Sequence, residues 1–338
     1  MSGTLGLPNS GVSADFVIRA REIHTLADGL DPQRSLAIRG DRIVELSPDS
    51  AGVDAWIGPD TRVIDAPDHT VLPTFDDTHT HLVYAAMGAF AVPVHQATDI
   101  TGFLALIRAK AAETPTGEWI FTTTNWQELN LAERRMPTAR ELDQATDRHP
   151  VLVQRGGHNG VMNSYALRLV GITAETVAPP GGIIERTAEG EPSGRLIDAA
   201  LHMVDHLLPA QPLGTRIAGL DKASHDYAAT GIGAVRDCAV PLPDLEVFAK
   251  ARDEERLGVR VRALVMAQGA RSDKQLDELL DAVEPWRYRS DPWLRLWGFK
   301  FVLDGGLEGG ATERPYVGHD DFCGLVLWAP DDLAHAVE

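Results

Sequence analysis

The stretch VLPTFDDTHTHL, residues 71–82, places His79 and His81 one residue apart at the end of an apolar run. In an extended strand, side chains two residues apart point to the same face of the sheet. We therefore expect the two imidazoles side by side, close enough to hold one metal ion. The alternative is structural, with one ring packed in the core and the other in a turn.

Strands and helices alternate further along the chain. Apolar strand patterns occupy residues 232–237, 259–266 and 294–304. Helical patterns separate them, which favours βαβ units and a parallel sheet. The stretch from about 85 to 215 is expected to be an insertion between the first and second strands of that sheet. Within it, Thr138-x-x-Glu141 is a capping box that predicts the start of a helix.

The segment before the histidine pair has a different character. Residues 14–72 contain short β-branched runs separated by turn-forming residues such as Gly40 and Asp41. This pattern predicts a small β-unit that is too thin to be stable alone.

Lys300 stands among apolar residues in the strand pattern at 294–304. Both faces of that pattern are largely apolar, as in a parallel strand covered on two sides. A buried ammonium needs a partner. One interpretation pairs Lys300 with a carboxylate such as Asp237 or Asp304. The other places it at a metal site, where burial favours the neutral amine, which can add carbon dioxide to form a carbamate that bridges two ions.

Composition excludes several classes of partner. Acidic residues outnumber basic ones by 49 to 31, for a formal net charge of -18. This charge repels phosphate backbones and anionic membranes, so neither nucleic acid nor a membrane is expected as a partner. The chain begins without a secretory-signal pattern and has no apolar run of about 18 residues. Cys238 and Cys323 lie far apart and predict free thiols, so we expect a cytoplasmic protein.

The segments VLPTFDDTHTHL and GFKFVLDGG (298–306) together resemble the amidohydrolase superfamily of metal-dependent hydrolases. The resemblance is to the family 3 branch, which includes N-substituted formamide deformylases. Further segments match that branch in the same order at 137–172, 179–194, 231–237 and 306–316. The resemblance therefore extends along nearly the whole chain.

The resemblance implies an α/β fold: a partial or distorted (β/α)8 TIM barrel with a small N-terminal β-sandwich unit. Residues 1–72 would form the N-terminal part of that composite sandwich. Residues 73–338 would form the N-terminal half of the barrel, with the insertion at about 85–215. Catalytic groups in such barrels lie at the C-terminal ends of the strands.

The resemblance also implies a site. His79 and His81 would end the first barrel strand and bind the first metal, and Lys300 would end the fourth as the candidate carbamate bridge. His158 would reach the substrate, with a loop histidine bonded to backbone as the alternative. Asp304 would shape the substrate pocket, with an ordinary strand terminus as the alternative. The expected cofactor is one or two divalent ions, with zinc the first choice.

The implied reaction is hydrolysis of a non-peptide carbon–nitrogen bond in a small amide-like molecule by metal-activated water. The family's remaining ligands and its catalytic aspartate belong to barrel strands 5 to 8, which are not found before Glu338, so the catalytic residue is unassigned. The chain is expected to correspond to the N-terminal half of a family member. Four alternatives stay open: the sequence is a portion of a longer gene product, a second chain supplies those strands, a homo-oligomer rebuilds the site, or the chain is an inactive binding or assembly module.

Overall fold

The computed structural model describes residues 12–179, 181–267, 270, 272–287, 291–304 and 310–338. The chain divides into two compact units, Met1–Phe75 and Asp76–Glu338.

The first unit is built on a small sheet of four strands in the order β3-β2-β1-β4. The strands are β1 (Phe16–Ile23), β2 (Gln33–Arg39), β3 (Arg42–Ser47) and β4 (Arg62–Val71). β1 pairs antiparallel with β2 and parallel with β4. Val17, Ala37 and Trp56 are buried on one side of this sheet, because alternate strand residues share a face. The strands predicted over residues 14–72 are therefore present.

The second unit contains two sheets and most of the helices. Its strands are β5 (Phe75–Thr80, beginning at the unit boundary), β6 (Ile120–Phe121), β7 (Val151–Arg155), β8 (Asn159–Met162), β9 (Gly182–Arg186), β10 (Pro192–Asp198), β11 (Ile232–Val240), β12 (Arg260–Met266) and β13 (Leu294–Lys300). The α-helices are α1 (Leu82–Gly88), α2 (Ile100–Glu113), α3 (Ala139–Ala145), α4 (Ser164–Leu169), α5 (Ala199–His202), α6 (Leu213–Ala229), α7 (Asp244–Asp253), α8 (Asp273–Arg287) and α9 (Pro330–Val337). Short 3-10 helices lie at Asp54–Trp56 in the first unit and at Val94–Gln96, Glu128–Asn130 and Asp205–Leu207 in the second.

The predicted βαβ arrangement is present in β11, β12 and β13, which are parallel. Within the described residues these strands and β5 form a four-stranded sheet in the order β13-β12-β11-β5. Helices α1, α6 and α7 cover one face, and Val235, Val261 and Phe248 are fully buried there or nearly so. The fold is therefore mixed α/β. These four strands match part of the expected barrel. A closed barrel is not present, because the sheet does not close on itself in the described part of the chain.

The stretch predicted as an insertion folds around a sheet of its own. Its strand order is β6-β7-β8-β10-β9. The predicted capping box is confirmed, because the Thr138 side chain accepts from the Glu141 N–H while Glu141 accepts from the Thr138 N–H. This sheet carries the loop between β7 and β8, where His158 lies.

None of the helices in the described ranges is long and apolar enough to cross a lipid bilayer.

Candidate functional site

The two histidines lie together where β5 ends. His79 is in the strand, and His81 is the residue from which α1 starts. Their ring centroids are 5.5 Å apart and the ring planes are perpendicular. Both residues are exposed, so neither is the core histidine of the structural alternative. Two accessible imidazoles at one strand end can share a ligand.

Two more of the predicted site residues, Lys300 and His158, act on His81 electrostatically. The pKa of His81 is lowered, first because protein atoms around the ring remove part of its hydration. Positive charge on His79, Lys300 and His158 lowers this pKa further. A lowered pKa favours the neutral imidazole, the form that binds a metal ion.

Lys300 differs in its surroundings from the sequence prediction. β13 ends at Lys300, where the family resemblance places it, although the apolar pattern runs on to residue 304, and the lysine is half-buried. The prediction that both faces of this strand are covered is wrong, because Trp297 on the other face is 52% exposed. Along that face the guanidinium groups of Arg236 and Arg262 lie over the Trp297 ring, at 5.7 and 5.6 Å from its centroid.

Neither carboxylate suggested as the partner of Lys300 binds it among the described residues. Asp237 Oδ2 accepts a hydrogen bond from the main-chain N–H of Val83. Asp304 Oδ2 accepts from the main-chain N–H of Ala311 at 3.0 Å. Asp304 is half-buried, and a main-chain bridge joins it to Val326. The glycine turn predicted after Asp304 lies outside the described residues.

His158 is bound by a carboxylate that sequence reasoning missed. Its Nδ1 lies 2.7 Å from Oδ1 of Asp198, the last residue of β10. The main-chain N–H of Asp198 donates to the His158 carbonyl at 2.8 Å. The ring is therefore bound by a carboxylate side chain. The alternative expected from the sequence, a loop histidine whose ring is bonded to backbone, does not match this contact. The available sequence signal was a carboxylate directly after an apolar strand pattern, the position where barrel and sheet proteins often carry functional groups.

Tyr84 and a second histidine–carboxylate pair lie near the histidines. The Tyr84 ring is edge-on to His81, with centroids 5.7 Å apart. Lost hydration raises the pKa of Tyr84, and the negative charges of Asp205 and Asp237 raise it further. Asp205 also binds His202 Nδ1 at 3.0 Å, and this hydrogen bond raises the pKa of His202. Residues from α1 and from the segment after β10 thus share one electrostatic environment.

Cys238 lies next to β5, with its sulfur 3.9 Å from the Thr78 carbonyl oxygen. Its thiol and that of Cys323 are free, as expected from the sequence, and Cys238 is buried. Burial raises the pKa of the Cys238 thiol, while the positive charge of Lys300 opposes that rise. The thiol is therefore protonated at neutral pH.

The histidine pair fits two positions of a divalent-metal site. Neutral imidazole nitrogens are common zinc ligands, and a catalytic zinc usually takes three protein ligands. In the described ranges no three histidine, cysteine, aspartate or glutamate side chains are grouped so as to hold a metal ion. These two histidines can therefore supply part of a ligand set, and Lys300 acts on His81 electrostatically.

The sequence matches the amidohydrolase family over residues 62–325. The chain belongs to the amidohydrolase family. This amidohydrolase-family chain is 25% identical over 341 residues to Protein LONG AFTER FAR-RED 3 of Arabidopsis thaliana. The match covers 97% of this chain and 57% of that protein. It is 30% identical over 245 residues to the N-substituted formamide deformylase of Arthrobacter pascens, covering 70% of this chain and 45% of that protein.

The fold of this amidohydrolase-family chain is also found in a solved structure. A metal-dependent hydrolase from Pyrococcus horikoshii superposes with a TM-score of 0.67 at 19% sequence identity, covering 95% of this chain and 62% of that one. The chain spans about half the length of the two relatives named above.

Proposed function

We propose that this amidohydrolase-family protein is a metal-dependent hydrolase that cleaves non-peptide carbon–nitrogen bonds in small amide-like molecules. One observation carries the proposal. The exposed rings of His79 and His81 lie 5.5 Å apart at a strand end, with Lys300 and His158 close enough to act on His81 electrostatically. Membership of the amidohydrolase family supports the same chemistry.

The proposed metal ligands are His79 and His81, with Lys300 beside them. A divalent ion, zinc in our proposal, would supply a Lewis acid and a reactive water at neutral pH. The lowered pKa of His81 keeps its ring ready to bind such an ion without first losing a proton. We further propose that the Lys300 amine adds one carbon dioxide and releases one proton, which leaves an anionic carbamate as an additional ligand.

His158 and Asp304 are the proposed contacts to substrate. The His158 side chain is 44% exposed, so its ring can reach a ligand while Asp198 holds it. The name of the Arthrobacter pascens relative makes N-substituted formamides the first substrates to test.

The remaining metal ligands and the general base are proposed to come from polypeptide outside the described residues. A further part of the same protein, a second copy of the chain or a second polypeptide would then supply barrel strands 5 to 8. The match covers 57% and 45% of the two relatives named above, which supports this part of the proposal. The mass of the protein in solution, with and without co-purified polypeptides, tests it.

Metal content and hydrolysis test the proposed function directly. The wild-type protein, as purified and after incubation with zinc, is expected to retain at least one equivalent of metal after gel filtration. His79→Ala and His81→Ala should lose it, whereas His69→Ala, which changes an exposed histidine of the first unit, should not. Unchanged metal content in the first two variants would contradict the ligand assignment.

Hydrolysis is measured on N-formyl and N-acetyl amines by release of the free amine. Release that depends on both metal and His79 supports the enzyme. Metal binding without hydrolysis, in every oligomeric state that the protein forms, would contradict an enzymatic role and favour a binding or assembly module.

A further inference from the structure

Asp198 has an unusual backbone conformation and a buried carboxylate, and its position before α5 explains neither. Its backbone φ is +48° and ψ is -122°, a combination that side chains rarely adopt. It precedes α5, yet its carboxylate makes no capping hydrogen bond to that helix. Its side chain is only 8% exposed, and among the described residues its Oδ2 has no hydrogen-bond partner. A buried acceptor without a partner is costly, so a reason for its retention is needed.

The carboxylate binds the imidazole of His158. Oδ1 lies 2.7 Å from Nδ1, a short distance for a hydrogen bond to a ring nitrogen. An ionised carboxylate only accepts hydrogen bonds, so Nδ1 carries the proton in this pair. Nε2 is then the atom left for a ligand, and the 44% exposure of the His158 side chain leaves the ring accessible.

The strands around this pair hold both partners in place. In the antiparallel ladder of β8 and β10, Asn159 is opposite Ile197, so His158 and Asp198 are the next residues beyond that register. The Arg195 guanidinium donates to Asn159 Oδ1 through Nε at 3.1 Å and through Nη2 at 2.9 Å. The main-chain bond from Asp198 to His158 completes the arrangement. The pairing of β8 with β10 therefore positions the carboxylate beside the ring, one residue beyond the Asn159–Ile197 pair.

We propose that Asp198 is a positioning residue: it fixes His158 with Nδ1 protonated and so presents Nε2 to the amide group of a substrate held beside His79 and His81. The assignment of the substrate rests on the proposed function, whereas the state of the His158 ring does not.

Two simpler roles fit the geometry less well. A helix cap would use the carboxylate on the main-chain N–H groups of α5, and it does not. A cation site would need a third ligand, and in the described part of the chain no such trio of histidine, cysteine, aspartate or glutamate exists.

Nitrogen-15 NMR of histidine-labelled full chain tests the proposal without metal or substrate. The pH is set well above the ordinary imidazole pKa of about 6.5, so that neutral rings show their tautomers. A His158→Gln variant identifies the His158 signals by their loss. We expect wild-type His158 to have a protonated Nδ1 and an unprotonated Nε2.

Removing the carboxylate should allow His158 to populate both neutral tautomers. Asp198→Gly deletes the acceptor and tolerates the positive φ, and in it we expect the Nδ1 and Nε2 signals of His158 to move towards each other as both tautomers are populated. The matched control is Asp205→Ala, which removes the carboxylate bound to Nδ1 of His202. It should change the His202 signals and leave those of His158 unchanged.

A wild-type His158 protonated on Nε2, or identical His158 signals in wild type and Asp198→Gly, would overturn the proposal. The first of these outcomes tests the proposal even if Asp198→Gly does not fold.

In the metal-loaded protein, kcat/KM for an N-substituted formamide should fall about tenfold in Asp198→Gly and stay unchanged in Asp226→Ala on the exposed face of α6. If no hydrolysis is detected but the tautomer responds as expected, the proposed function fails and the positioning role stands. A mixture of His158 tautomers in Asp198→Gly together with an unchanged kcat/KM would overturn the proposal that His158 contacts the substrate.

Discussion

The main-chain N–H of Val83 donates a hydrogen bond to Asp237 Oδ2 over 2.9 Å, which ties the first turn of α1 to β11. The other oxygen accepts from the Ala239 N–H at 3.2 Å. Burial raises the pKa of Asp237 to about 6, although these main-chain donors oppose the rise. Because α1 starts directly after His81, this carboxylate positions the strand end that carries the histidine pair.

We expect Asp237→Ala to lower the free energy of unfolding by about 2–4 kcal/mol, because it leaves buried N–H groups without an acceptor. Asp237→Asn should cost less, since its carbonyl still accepts one hydrogen bond. Urea unfolding followed by circular dichroism measures both. Asp226→Asn changes an exposed carboxylate on α6 and should stay within about 0.5 kcal/mol of wild type. Wild-type stability in both Asp237 variants would show that this carboxylate does not hold α1.

The capping box at α3 predicts a pH-dependent stability. Arg135 donates to both Glu141 oxygens, at 2.7 and 2.9 Å, and Thr138 donates to one of them. The Arg135 hydrogen bonds, followed by those from Thr138, lower the pKa of Glu141 from 4.5 to about 2. A carboxyl with a depressed folded-state pKa adds stability above its unfolded-state pKa and loses it as the pH falls towards the folded-state value.

Glu141→Gln should therefore lower the free energy of unfolding by about 1–2 kcal/mol at neutral pH. The difference from wild type should shrink as the pH falls below 4.5 and vanish near 2. Urea unfolding at a series of pH values checks this. Glu118→Gln, at an exposed position, serves as the control and should show no such trend. A difference that stays constant with pH would argue against the charge of Glu141 as its source.

Asn163 is fully buried and satisfies four main-chain groups with one amide. Its Oδ1 accepts from the N–H groups of Val151 and Ala166, and its Nδ2 donates to the carbonyls of His149 and Thr146. Asn163→Ala is expected to cost about 2–4 kcal/mol, because these groups lose a partner inside the protein. Asn130→Ala, an exposed asparagine, is the matched control in thermal unfolding. Equal melting temperatures for the two variants would contradict the structural role of this amide.

A hydroxyl pair anchors β5 between the two histidines. Thr80 Oγ1 lies 2.8 Å from the Tyr227 hydroxyl of α6, and Thr80 is buried. Thr80→Val and Tyr227→Phe should each lower the free energy of unfolding by about 1 kcal/mol. In the double variant the losses should fall short of additive by about 0.5–1 kcal/mol. Strict additivity would mean that the two hydroxyl groups do not interact in solution.

Features that depend on near neighbours were predictable from the sequence. The capping box at Thr138 and the alternation of β11, β12 and β13 with helices both match the structure. Each depends on residues within one helical turn or on one repeating pattern of apolar side chains. The pairing of His79 with His81 has the same origin, since strand geometry puts residues i and i+2 on one face.

Features that depend on distant contacts were missed or mispredicted. The carboxylate that holds His158 lies 40 residues away in the chain, and the one that holds α1 lies 154 residues from Val83. The sequence pattern around Lys300 was read as fully covered. The exposure of Trp297 depends on what packs against β13, and a strand pattern does not encode that.

By itself, the sequence determined the types of the elements, the histidine pair and the family resemblance, because these follow from periodicity and motif. Tertiary structure alone decided that Asp198 binds His158, that Asp237 accepts hydrogen bonds at the start of α1 and that Trp297 in the strand of Lys300 is exposed. The physical reason is that hydrogen bonding and charge interaction depend on distances of a few ångströms in space, which chain separation does not fix until the sheets have assembled.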